Sequence, residues 1–332
     1  MEPLRSTLTH HILRDQSSFP GARGEFSALL VQIASACKII AGECRRAGLG
    51  SQTGSLGSVG HHGDEVKRLD TFANEAFTHC FDHTGLAAAL VSEEMERPYV
   101  PAGEGSATAG YVVCFDPIDG SSNIEVDVTV GTIFSVQNRV DPSRTPSMAD
   151  LLRPGTDIIA AGYVLYGPAT VFVLATGRGV DVFTQDPATG DFLLTDANRT
   201  IPARGPAYSV NESNSRKWTP ATRRLVEALR DGRVGEMKTS RYVGSLVSDF
   251  HRTLLRGGLF AYPGEEEKPR GKIRLLYEAA PLGWIAEQAG GAASDGTRSI
   301  LEIVPAEVHE RTPIFIGGTA DVADALRLLA GE

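Results

Sequence analysis

The sequence predicts layered helices and mixed β-sheets arranged in two domains. Three observations lead there. The chain has 332 residues, more than one small core sustains. Short apolar runs of strand length, separated by turn signals, crowd residues 87 to 194, with amphipathic helical patterns before and after them. A polar stretch with two prolines, Asp196 to Pro206, then interrupts the pattern. It sets the expected boundary between an N-terminal domain, 1–197, and a C-terminal domain, 198–332.

Helical spacing of Leu29, Leu30, Ile33, Cys37, Ile40 and Cys44 predicts a helix from Phe26 to Arg46, stopped near Gly48. Ser51 to Gly63 is rich in Gly and Ser and reads as a loop. His61 and His62 in it have no spaced partners and read as solvated. A second helix is expected from about Glu65 to Phe81. Strands follow at Ala87 to Ser92, Tyr111 to Phe115 and Val128 to Val136. Ile158 to Leu165 and Thr170 to Leu174 join at Gly167-Pro168, and Val180 to Thr184 and Asp191 to Leu194 flank another turn, so this region reads as antiparallel. The second half is expected to hold strands at Ala207 to Val210, Leu259 to Tyr262, Lys272 to Tyr277 and Pro313 to Ile316. Its helices are expected at Pro220 to Arg230, Gly244 to Leu255, from Pro281 to Gly290, and from Ala320.

A formal net charge of −9 argues against a nucleic-acid or anionic-membrane partner, yet leaves room for a local basic pocket that holds an anion. No apolar run approaches the roughly 20 residues that span a bilayer. Met1 to Asp15 carries charges and histidines where a signal peptide would be apolar. The four cysteines, Cys37, Cys44, Cys80 and Cys114, form no C-x-x-C pair. Together these features predict reduced thiols and a cytoplasmic location.

The chemistry concentrates in Asp116-Pro117-Ile118-Asp119-Gly120-Ser121-Ser122-Asn123, just past an apolar strand. Pro117 forces an extended or turn conformation on Asp116, so both carboxylates can enter one cleft. Gly120 permits close backbone approach, and Ser121 and Ser122 offer hydroxyls and N–H groups suited to an anion. Carboxylates beside a phosphate nest conflict in charge unless a cation lies between them, and hard oxygen ligands point to Mg2+ or Mn2+. A lone D-x-x-D-G would be a solvated turn. Here Glu93-Glu94 ends another strand, Asp64 and Asp70 flank a helix start, and Glu278 is expected on one strand face with Lys272, Arg274 and Leu276.

With these residues in view, the sequence resembles the class 1 fructose-1,6-bisphosphatases, within the lithium-sensitive Mg2+-dependent phosphatases. The resemblance runs from about Ser6 to Val322. It is carried by G-D-E-V-K-R-L-D from Gly63, L-V-S-E-E from Leu90, and Y-V-V-C-F-D-P-I-D-G-S-S-N-I from Tyr111 onward to Phe134. In the second half it is carried by R-Y-V-G-S-L-V-S-D-F-H-R-T-L from Arg241 and G-K-I-R-L-L-Y-E from Gly271. It implies an α+β sugar phosphatase fold, a layered α-β-α-β-α sandwich of two domains, assembled as a homotetramer. It implies two or three Mg2+ per subunit, with Mn2+ as a substitute. Their ligands would be Glu93, Glu94, Asp116, Asp119, Glu278 and the Ile118 carbonyl. Asp64 and Asp70 would lie on the catalytic loop and its adjoining helix. Asp119, Gly120, Ser121, Ser122 and Arg274 would meet the sugar and its 1-phosphate. Asn211, Tyr242, Tyr262 and Lys272 would form the 6-phosphate pocket, Gly244 and Leu246 would contact the sugar, and Arg241 would reach the neighbouring subunit's site.

The implied reaction is hydrolysis of the 1-phosphate of fructose 1,6-bisphosphate by a water that Glu94 and Asp70 orient and deprotonate. Three departures stand out. Asn214 replaces a family tyrosine at the 6-phosphate, which raises a dual fructose-1,6-/sedoheptulose-1,7-bisphosphatase of carbon fixation as an alternative. The AMP-inhibitor segment is altered at Arg23-Gly24-Glu25-Phe26-Ser27. A family lysine there is Gly110 beside Tyr111, and a family arginine is Asn138 beside Arg139, so AMP inhibition is expected to be weak or absent. Asp141 to Asp157 lacks cysteine, which removes the chloroplast form's disulfide control. An inositol- or phosphoadenosine-phosphate phosphatase fits less well with Lys272, Tyr242 and Tyr262. An inactive scaffold fits less well with a full set of mutually repelling carboxylates.

Overall fold

The computed structural model describes residues 5–18, 22–46, 49, 55–59 and 65–331, with the backbone alone at 55–59 and 65–67. It opens with α1 (Leu8–Gln16), to which the sequence reading gave no element; the Thr7 hydroxyl caps it by accepting from the His10 N–H. α2 (Glu25–Cys44) follows as expected. Part of the segment read as a loop is β1 (Ser55–Val59), antiparallel to β2 (Glu65–Lys67). The second helix therefore starts later, as α3 (Arg68–Phe81). Three residues such as Glu65-Val66-Lys67 are too few for periodicity to separate a strand from a helical turn.

A seven-stranded sheet follows in sequence order. It comprises β3 (Ala89–Ser92), β4 (Tyr111–Asp119), β5 (Val130–Asn138), β6 (Ile158–Tyr166), β7 (Thr170–Ala175), β8 (Val180–Gln185) and β9 (Phe192–Asp196), with the short α4 (Met148–Leu151) between β5 and β6. Only β3 runs parallel to its neighbour. The second half supplies β10 (Ala207–Ser209), α5 (Pro220–Asp231), β11 (Thr239–Ser240), α6 (Leu246–Arg256), β12 (Leu259–Tyr262), β13 (Ile273–Arg274), α7 (Ala280–Gln288), β14 (Ala292–Ser294), β15 (Arg311–Thr312), β16 (Ile314–Gly317) and α8 (Thr319–Ala330). Its main sheet has the order β11-β10-β12-β16-β14, and β13 pairs with β15.

Alternation along the strands builds five layers. Of the consecutive β5 residues Ile133 and Phe134, Phe134 joins a core with α1, α2 and α3, while Ile133 joins a second core with α6 and α7. β12 repeats the pattern: Phe260 points to the α6/α7 core, and Leu259 and Ala261 point to a third core under α5 and α8. The result is α-β-α-β-α, with α6 and α7 as the shared middle layer. By length and composition α2 could cross a bilayer, contrary to the expectation that no run was long enough. Leu29, Ile33, Cys37 and Ile40 are nevertheless fully buried in the first core, where burial of Leu29, Ile33 or Ile40 contributes about 1.5–3 kcal/mol each.

One strand expectation fails where the chemistry is. Lys272 to Tyr277 is not a single strand: β13 ends at Arg274, and Leu275–Ala279 form a π-helical turn that runs into α7. Lys272, Arg274, Leu276 and Glu278 therefore do not share a strand face. Leu275, Leu276 and Tyr277 are buried on all sides, and such a run looks the same as strand or helix.

Candidate metal and substrate site

Asp116 and Asp119 are three apart, so on a regular strand they would face opposite ways. β4 avoids this with a bulge. Asp116 pairs with Ile133 and Asp119 with Gly131, three steps on one strand against two on the other. The extra residue restores the parity and lets both carboxylates serve one side. At the bulge, Pro117 is fixed by its carbonyl, which accepts from Thr132 Oγ1 at 2.7 Å, and Asp116 Oδ1 accepts from the Ile118 N–H at 3.0 Å. Gly120 follows at φ +78°, a conformation glycine adopts without cost, and starts the 3-10 turn Ser121–Val126.

β3, parallel to β4, delivers Glu93 and Glu94 beside Asp116. Glu93 donates its N–H to the Phe115 carbonyl at 3.2 Å, and Glu94 donates its N–H to Ser92 Oγ at 3.2 Å. The π turn brings Glu278 back to Arg274, whose N–H donates to Glu278 Oε2 at 2.5 Å. Carboxylate oxygens of Glu93, Asp116 and Glu278 then all lie within 4.8 Å of one another. Asp119 joins through the second half of the chain: its Oδ2 accepts from Ser245 Oγ at 2.9 Å and from the Val247 N–H at 3.0 Å. Neither partner was anticipated. The signal was Ser245 at the N-cap of α6, where its hydroxyl accepts from the Ser248 N–H.

The electrostatics are those of a site built for positive charge. Burial, then Glu93, Glu278, Asp119 and Glu94, push the Asp116 carboxyl well above the usual range. Burial and Glu93 do the same to Glu278. Burial pushes Asp119 up to about 6, against the lowering effect of its bonds from Val247 and Ser245. Arg274 Nε lies 3.7 Å from Glu93 Oε1, and one guanidinium cannot balance this many acids. All the donors are hard oxygens converging from three segments, a set that fits a divalent cation. His309 braces two of those segments. Its Nε2 donates to the Met95 carbonyl at 3.1 Å, which leaves Nδ1 to accept from the Tyr277 hydroxyl at 2.8 Å.

Three residues expected at the sugar phosphate, Tyr242, Tyr262 and Asn211, lie near this cluster. Burial, followed by Tyr262, Asp249 and Asp119, pushes the Tyr242 hydroxyl up to about 12, and its bond with the Asn211 side chain works the other way. Burial raises Tyr262 as well, with Glu265 and Glu278 adding to it. Tyr242, Asn211, Tyr262 and the acids thus share one region. Lys272 and Arg241 are exposed, Arg274 and Leu246 are buried, and Gly244 is half-buried. Asp70 is buried in the first turn of α3, which packs on β4. Asp64, His61 and His62 lie outside the described residues.

The altered segment Arg23 to Ser27 meets Tyr111 around a cavity of about 540 Å³ at the start of α2, with His11, Asp15 and Gln16 on its wall. Arg139, which adjoins Asn138, is not on that wall. It is buried, donating to the carbonyls of Ala107, Ala109, Asp141 and Arg144.

Comparison with known proteins decides the family. The model for "Fructose-1-6-bisphosphatase, N-terminal domain" matches residues 6–197, and that for the C-terminal domain matches residues 201–330. The chain belongs to the class 1 fructose-1,6-bisphosphatases. It is 47% identical over 330 residues to the class 1 fructose-1,6-bisphosphatase of Chlorobium chlorochromatii, covering 98% of each chain. It is 43% identical over 327 residues to the cytosolic fructose-1,6-bisphosphatase of Arabidopsis thaliana, covering 98% of this chain and 95% of that one. The holo crystal structure of Leishmania major fructose-1,6-bisphosphatase superposes with a TM-score of 0.91 at 39% identity, covering 98% of this chain and 99% of that one. In this fructose-1,6-bisphosphatase family member the acidic cluster draws on both matched domains, with Glu278 and the Asp119 partners coming from the second.

Proposed function

We propose that the protein hydrolyses the 1-phosphate of fructose 1,6-bisphosphate, giving fructose 6-phosphate and inorganic phosphate. The observation that carries this is the convergence of Glu93, Asp116 and Glu278 within 4.8 Å, beside the Tyr242, Asn211 and Tyr262 region. Mg2+, two or three per subunit and replaceable by Mn2+, would be held by Glu93, Glu94, Asp116, Asp119, Glu278 and the Ile118 carbonyl, supplying charge neutralisation at the phosphate and a water of lowered pKa. Glu94 with Asp70 would orient that water and take its proton, with Asp64 as a further catalytic carboxylate. Ser121, Ser122, Gly120 and Arg274 hold the phosphoryl oxygens. Lys272, Asn211, Tyr242 and Tyr262 hold the distal phosphate, with Gly244 and Leu246 against the sugar.

The names of the matched relatives favour the fructose substrate over sedoheptulose 1,7-bisphosphate and over an inactive scaffold. The family matches, 6–197 and 201–330, support a domain division at 197/198. We place the enzyme in the cytoplasm as a homotetramer, with the exposed Arg241 reaching a neighbouring subunit; four free cysteines accord with a reducing compartment. AMP inhibition is weak or absent, in keeping with Asn138 in place of a family arginine and with Arg139 committed to backbone carbonyls rather than to the cavity wall. The test is phosphate release from fructose 1,6-bisphosphate with Mg2+ and with chelator. Mg2+-dependent release supports the assignment, and no release at saturating Mg2+ refutes it.

A further inference from the structure

We propose that Asp249 is the positioning residue of the sugar-phosphate pocket, shaping the 241–245 segment around its buried carboxylate. The inference rests on the proposed substrate reading, which places Arg241, Tyr242, Gly244 and Asn211 at the sugar bisphosphate.

The 241–245 segment joins a two-residue strand, β11, to α6 and has no regular structure of its own. Its main chain is instead gathered onto one side chain. Asp249, in the first turn of α6, is fully buried. The Val243 N–H lies 3.1 Å from both carboxylate oxygens, and the Gly244 N–H donates to Oδ2 at 3.0 Å. From β10, Ser209 Oγ donates to Oδ1 at 2.7 Å. Arg252 Nη1 donates to the same oxygen at 3.2 Å and to the Arg241 carbonyl at 2.8 Å. One carboxylate thus ties the two peptides after Tyr242 to the strand that ends two residues before Asn211. Tyr242 directly precedes the two anchored peptides and Asn211 follows the anchored strand, so this carboxylate fixes the backbone on both sides of the pair.

Only an ionised carboxylate suits the position. The donors converge on both oxygens, and an amide offers one acceptor and turns an NH2 toward the remaining donors. Arg252 and the N–H groups also neutralise the charge, which would otherwise repel a phosphate at Tyr242. The metal end of the same segment has a separate fastening, Ser245 on Asp119. Loosening Asp249 should therefore disturb substrate binding more than the chemical step.

The experiment compares wild type with Asp249→Asn, Asp249→Glu, Ser209→Ala and Lys272→Ala. It measures kcat and KM for fructose 1,6-bisphosphate at saturating Mg2+, the Kd of fructose 6-phosphate by calorimetry, and thermal melting as a check on folding. Asp249→Asn is expected to raise KM and the product Kd about tenfold, with kcat within about threefold of wild type. Asp249→Glu, which keeps both acceptors, should recover part of the affinity, and Ser209→Ala should give a smaller rise in KM. A fall in kcat with KM unchanged, or no change in either, overturns the inference. If Asp249→Asn does not fold, Ser209→Ala decides: an unchanged KM and product Kd overturn the inference. Lys272→Ala separates the two readings. If it leaves KM unchanged, the pocket assignment itself falls; if it raises KM while the Asp249 and Ser209 variants do not, only the positioning role falls.

Discussion

Replacing Asp119 by Asn isolates the cost of gathering charge at this site. Ser245 Oγ and the Val247 N–H both donate to Oδ2, so the single amide oxygen of asparagine can keep both bonds while the charge disappears. The folded carboxyl titrates at about 6 against an ordinary 3.8. It holds its proton to a higher pH than the unfolded chain does, so stability is greatest below about 4, falls as pH rises through about 6, and stays low above that. A shift of about 2 pKa units corresponds to about 3 kcal/mol. Asp116 and Glu278, relieved of one repelling neighbour, move stability the same way. His251, pushed down to about 4 by burial and Arg199, titrates in the opposite sense over the same window. The informative quantity is therefore the difference between variant and wild type. In urea denaturation with chelator, Asp119→Asn should be about 3 kcal/mol more stable than wild type at pH 8, with the gap closing toward pH 4. Mg2+ should stabilise wild type and not the variant, and the variant should have lost turnover. A gap independent of pH, or a wild type more stable at pH 8 with chelator, would refute the reasoning.

Asp116→Ala should abolish phosphate release while circular dichroism stays native; normal turnover would remove Asp116 from the cation site. Gly131→Ala should lower the melting temperature and cost about 1–3 kcal/mol, because its Cβ would sit 2.3 Å from the Val164 carbonyl and 2.5 Å from Val247 Cγ2. An unchanged melt would mean that both the Val164 backbone of β6 and Val247 of α6 can give way around β5. AMP at millimolar concentration should leave turnover nearly unchanged, and strong inhibition would show that the cavity beside α2 holds the nucleotide without Arg139. Lys272→Ala should raise KM with kcat little changed, as a lost charge-assisted contact does.

Much of this was legible in the sequence. Asp116 and Asp119 were identified because each is followed by a turn-forming residue, Pro117 and Gly120, after an apolar strand. That both could enter one cleft was read from Pro117, but the bulge that aligns them was not, because it is defined by the partner strand. Glu278 was chosen for a wrong local reason: the assumed strand face does not exist, and the π turn returns the carboxylate to Arg274 by another path. Ser245, Val247 and His309 escaped notice because each acts through a contact made far along the chain, and spacing carries no trace of that; Asp249 escaped because the segment it gathers, 241–245, has no regular structure for a pattern to show. α1 was missed because Leu8–Gln16 is short and polar, so tertiary packing of Leu8 and Ile12 does the work that a periodic pattern would have advertised.

The shared middle layer has a consequence for how the molecule comes apart. The inner face of the seven-stranded sheet, with Ile133, Tyr163 and Val173, is covered by Leu246, Phe250, Leu282 and Ile285 of α6 and α7. The first half released on its own would expose that face to water and leave its acidic cluster without Glu278. The two halves are therefore poor candidates for independent folding, and denaturation should proceed as one cooperative event. Cutting the chain between them would yield not two smaller proteins but two incomplete surfaces, each suited mainly to finding the other.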